Sequence, residues 1–173
     1  MSSFLHDDET STMLTINRGT LQRGAVWGYL LAVLIAVLLA FILGGINNPA
    51  LERNRPPLSI PGNITALIWI VALAFLAMGI YYGTFSVDLA TAAIINFLFI
   101  LQLVFFMAWF FVYQRFGDFN NAFWAGIILF VLGLATLFFL WQAGARQASI
   151  LVLLYLIWIG YNIVVAWQAL HGN

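Results

Sequence analysis

Only twelve charged side chains punctuate the 173 residues, and they fall at six places along the chain. A charge at the bilayer centre costs about 2.5 to 3.5 kcal/mol even on the lenient insertion scale, so charges mark where a chain leaves hydrocarbon. Between them lie five uncharged runs, 24–51, 56–87, 89–114, 119–145 and 147–173. Each exceeds the roughly 20 residues a helix needs to cross about 30 Å of hydrocarbon. None alternates as the short strands of a membrane barrel must. The pattern predicts an all-α integral membrane protein, a bundle of five transmembrane helices near 25–45, 63–83, 91–113, 121–142 and 148–170. Residues 1–24 read as a polar N-terminal tail, and 25–173 as the membrane domain.

Five spans put the two termini on opposite faces of the membrane, here called A (N-terminal) and B. Face A carries Arg18, Arg23 and Arg146, and face B carries Arg53, Arg55 and Arg115. Three against three leaves the positive-inside rule without a preference. Lys and Cys are absent, which removes a basic surface for nucleic acid, thiolate chemistry, Cys-held metals and disulfides. His6 and His171 sit at the chain ends, where neither can ligate a mid-membrane haem. No nucleophile–base pair, metal motif, phosphate loop or pair of membrane carboxylates occurs, and the sequence predicts no catalytic residues, no metal and no required cofactor.

All four prolines, Pro49, Pro56, Pro57 and Pro61, fall in the 46–62 connection between the first two spans. Proline fixes the backbone and removes donors, so this face-B loop is expected to be stiff. Its length makes it a candidate lid, with Pro56, Pro57 and Pro61 as its lid residues; the plainer reading is a proline-rich connector.

The seven Trp divide by depth. Trp27, Trp124, Trp141 and Trp167, with Tyr29, Tyr81, Tyr82 and Tyr113, lie near helix ends, where headgroup belts favour amphipathic rings. Trp69, Trp109 and Trp158 lie roughly 9, 6 and 18 Å inside face B, too deep for the belt. Polar residues keep them company. Gln102 and Trp109 are seven apart on one face of the third helix, and Tyr155, Trp158 and Asn162 form an i, i+3, i+7 stripe on the fifth. Trp69, Gln102, Trp109, Tyr155, Trp158 and Asn162 are therefore the candidate lining of an amphipathic ligand site, with interhelical packing as the alternative. Gly79 with Gly83, and Gly126 with Gly133, have spacings that allow close helix approach, within the chain or across a homodimer.

Five spans, a proline-rich first loop and deep Trp resemble the TspO/MBR family, the tryptophan-rich sensory and translocator (peripheral benzodiazepine receptor) proteins. The resemblance covers roughly 25–173. Pro56, Pro57, Pro61, Gly62 and Trp69 fall in step with the family's first loop and second helix. Gln102, Leu103 and Trp109 match its third-helix motif, and Ala148, Tyr155, Leu156 and Trp158 its fifth. Asn63, Phe106, Phe110, Phe111, Leu154 and the pair Val165 and Ala166 depart from the pattern, mostly toward apolar side chains. The resemblance implies a receptor-like or transport protein that binds porphyrins, or in some members sterols or benzodiazepine-type ligands. It also implies a multi-pass membrane location, the cell membrane in a bacterium. Two further classes stay open: light-dependent porphyrin breakdown with Trp as redox partner, and a membrane scaffold without a small ligand.

Overall fold

A computed structural model of the chain describes residues 6–45, 58–60 and 62–171, with side chains at 24–45, 58–60 and 64–171. It contains five long helices: α1 His6–Gly44, α2 Gly62–Thr84, α3 Leu89–Phe111, α4 Phe119–Gln142 and α5 Arg146–His171. Each has an apolar stretch long enough to cross a membrane, and the charge map predicts the same five-helix bundle. The stretch before residue 24, expected as a tail, is helical from His6 and continues into the first span. Nothing between residues 6 and 44 is a proline, so no residue there forbids the continuation.

The turns follow from their residues. The Asp88 carboxylate accepts from the backbone N–H groups of Ala90 and Thr91 at 3.0 Å each and from the Thr91 hydroxyl at 2.6 Å, opening α3. Asp118 does the same for α4 through the Asn121 backbone N–H at 3.0 Å. α3 ends in a π-helical turn, Val112–Phe116, that stops at Gly117. Gly117 (φ 62) and Gly144 (φ 74) take the left-handed conformation that closes a helix cheaply only with glycine. The α4–α5 turn is completed by the Ala145 N–H on the Leu140 carbonyl at 3.0 Å.

In order around the bundle the helices run α1, α2, α5, α4, α3, and α2 also touches α3 across the middle. α5 packs against α2 and α4 and is the most buried span; α1 is the least. Lipid offers no hydrophobic drive to bring helices together, so close van der Waals packing must do it. The glycines supply it. A Cβ on Gly79 would meet Val152 Cγ2 at 2.9 Å and the Ala148 carbonyl at 3.1 Å, both on α5. One on Gly83 would strike Leu140, and one on Gly133 would lie 2.6 Å from Leu156 Cδ2. Gly126 faces Ile163 in the same way, at 3.1 Å. All four glycines meet neighbours within the chain, the intrachain alternative of the sequence reading.

Candidate functional site

Exposure separates the Trp as depth predicts. Trp27, Trp124, Trp141 and Trp167 are 50 to 71% exposed, as belt residues should be, whereas Trp69, Trp109 and Trp158 are 2, 3 and 9% exposed. The three deep rings meet. Trp69 of α2 lies 5.0 Å from Trp109 of α3 and 6.0 Å from Trp158 of α5, centroid to centroid. Phe106 completes the group at 4.9 Å from Trp69. One Trp at the B-side start of α2, one near the B end of α3 and one midway along α5 arrive at the same level because neighbouring spans run in opposite directions.

Two tyrosines extend the cluster. Tyr113 stacks on Trp109 (5.1 Å, 9° between planes) and Tyr161 on Trp158 (5.0 Å, 19°). The Tyr161 hydroxyl donates to the Leu58 carbonyl, and Thr65 Oγ1 donates to the Ile60 carbonyl at 3.2 Å. The last residues of the first loop are thus fastened to α5 and α2 beside the aromatic rings. Pro56, Pro57 and Pro61, the expected lid residues, lie outside the described residues. On the α4 side, Gly126 keeps a wall thin: a Cβ there would sit 3.8 Å from Trp109 Nε1.

The polar candidates divide. Gln102 is fully buried; its Nε2 donates to Thr136 Oγ1 at 3.1 Å and to the Leu98 carbonyl at 3.3 Å, which links α3 to α4. Asn162 spends an amide hydrogen on the Trp158 carbonyl of its own helix at 2.7 Å. By contrast, Trp69 Nε1, Trp158 Nε1, the Tyr155 hydroxyl and Gln102 Oε1 are buried without any partner among the described residues. Each such group costs about 1–3 kcal/mol, and native structures leave few of them.

The sequence reading missed several participants. Phe106 is a departure from the family pattern that stands inside the cluster, and Tyr161 prolongs the Trp158 stripe by one turn. Leu154, another departure, is 41% exposed on the outer surface and does not line the cluster. Phe110 packs on Phe41 (5.1 Å) between α1 and α3. A second polar group lies in the A half. Tyr29, expected in the belt, is half-buried and donates to Asn96 Oδ1 at 2.6 Å, while Asn96 Nδ2 donates to Thr84 Oγ1 at 3.0 Å and to the Ala92 carbonyl at 2.7 Å. The Tyr29 and Thr84 hydroxyls are 3.1 Å apart, and a groove of about 290 Å³ between α1 and α3 runs beside them.

A family model described as the TspO/MBR family matches residues 30–171. No curated protein and no solved structure matches the chain. The matched segment reaches into all five spans and contains every residue of the aromatic cluster. A multi-pass integral membrane protein by its helices, the chain belongs to the TspO/MBR family.

Proposed function

We propose that this membrane protein binds a flat hydrophobic ligand, such as a porphyrin, where α2, α3 and α5 meet, with the first loop as its cover. The observation that carries the reading is the convergence of Trp109 and Trp158, from two other helices, on Trp69 at 5.0 and 6.0 Å, between face B and the midplane. Stacked and edge-on rings are the surface on which a planar ligand gains most. Gln102, Tyr155 and Asn162 supply the few polar groups that fix its orientation. Membership of the family supports porphyrins first, and sterols or benzodiazepine-type compounds after them. The Tyr161 bond to the Leu58 carbonyl, which holds the loop's end beside the rings, supports the cover.

Titration of the protein in lipid nanodiscs with protoporphyrin is expected to quench Trp emission saturably. Trp69→Ala and Trp158→Ala each weaken binding about tenfold, since a ring contact is worth about 1.5 kcal/mol. Trp141→Ala, in the belt, leaves it unchanged. Quenching that is the same in all three variants sinks the site.

A further inference from the structure

Three hydrogen-bond donors in the aromatic cluster have no acceptor among the described residues: Trp69 Nε1–H, Trp158 Nε1–H and the Tyr155 hydroxyl. Their side chains are 2, 9 and 0% exposed. The Trp69 and Trp158 rings stand 6.0 Å apart, and Tyr155 lies one turn before Trp158 on the same buried face of α5. On the other side of the balance, Gln102 Oε1 is a buried acceptor without a partner among the described residues, and Asn162, one turn from Trp158, adds its amide oxygen. The Gln102 amide cannot be turned to help, because its Nε2 already faces two acceptors, Thr136 Oγ1 and the Leu98 carbonyl. Bilayer hydrocarbon supplies no water to make up the deficit. A purely apolar ligand would leave all three donors unmet, and a donor-rich one would add to the surplus.

We infer that the ligand of this site is an uncharged, flat ring compound bearing carbonyl-type oxygen acceptors, of the quinone or aryl ketone class. This rests on the ligand-binding reading above and narrows it. The oxygens take the Trp69, Trp158 and Tyr155 donors, while the ring system lies against Trp69, Trp109 and Phe106. The compound is uncharged because an ion at this depth is penalised and the cluster residues include no cation. A tetrapyrrole entering the same site leads with its ring and leaves its carboxylates at the face-B surface. One donor on the ligand is tolerated, since Gln102 Oε1 can accept it.

The test uses the full chain in lipid nanodiscs, empty nanodiscs as the blank, and two probes of one shape: 2-methyl-1,4-naphthoquinone and 2-methylnaphthalene. Calorimetry is expected to show the quinone binding saturably and about tenfold tighter than the hydrocarbon, and NMR to show two indole N–H signals moving downfield with the quinone alone. Tyr155→Phe and Trp158→Phe each weaken the quinone about 2- to 10-fold more than they weaken the hydrocarbon, the loss of one hydrogen bond. Equal saturable binding of both probes overturns the acceptor inference and leaves the ring site standing, as does a quinone affinity untouched by both variants. A quinone that does not bind also overturns it; if protoporphyrin fails too, the site itself is overturned. The comparison of the two probes needs no variant, so a substitution that impairs folding does not blunt it.

Discussion

In the A half of the bundle, Tyr29, Asn96 and Thr84 from three different helices close a small circuit of hydrogen bonds of 2.6 to 3.1 Å. Between face B and the midplane, Trp69, Tyr155 and Trp158 bring donors deeper into the protein and leave them unmatched among the described residues. The circuit is part-buried, yet it is the more deeply buried donors that go unmatched. The circuit spends its polarity on joining α1, α2 and α3. The unmatched donors spend theirs on nothing among the described residues, and they sit where rings converge and Leu58 and Ile60 are tied down. A membrane bundle can therefore use polar side chains either as a clasp or as a vacancy for a partner, and the count of donors against acceptors distinguishes the two.

The contrast can be broken experimentally, most strongly at the clasp. Asn96→Leu removes both of its interhelical bonds and should cost about 1–2 kcal/mol, read as a lower melting temperature in nanodiscs by circular dichroism. Ligand affinity should not change; if it falls with stability, the two halves are not independent. Tyr155→Phe works in the opposite sense. Removing an unmatched hydroxyl should leave the ligand-free protein as stable or more so, by up to about 1 kcal/mol. A clear loss of stability would mean that Tyr155 has a partner in the resting state.

Acid gives the smallest effect and should touch both ends alike. The Asp88 carboxyl is held below its ordinary value of 3.8 chiefly by the Thr91 hydroxyl, and the Asp118 carboxyl chiefly by the Asn121 backbone N–H. A folded pKa below the unfolded one means that the caps contribute fully above 3.8 and lose that contribution as pH falls through the lowered values. The melting temperature should stay level from neutrality to about pH 4 and drop slightly below it. Asp88→Asn and Asp118→Asn should each shrink that drop; a drop that persists in the double variant would assign it elsewhere.

Most of the architecture was legible because membrane insertion is a one-dimensional problem. Charges at six places delimit the spans, and alternating directions follow from the order of the runs. The depth of Trp69, Trp109 and Trp158 is legible for the same reason. Rotation about each helix axis is not. Tyr29 reads as a belt residue by depth, yet it turns inward to Asn96. Leu154, four residues from Trp158 on the same helix, turns outward. The Gly79 and Gly133 spacings advertise a close approach without saying to what. Hydrogen-bond partners depend on those rotations, so the unmatched donors could not be counted until α2, α3 and α5 were placed together.

Of the five helices, the one on which this assembly turns is made after the other four. Until residues 146–171 have left the ribosome, Gly79 and Gly133 face an empty seam and Trp69 lacks its wall on one side. Four inserted helices are then a collection of spans without a keystone, however well each one suits the bilayer. A chain cut short before Arg146 would insert and still expose the surfaces that membrane proteases and chaperones read as unfinished.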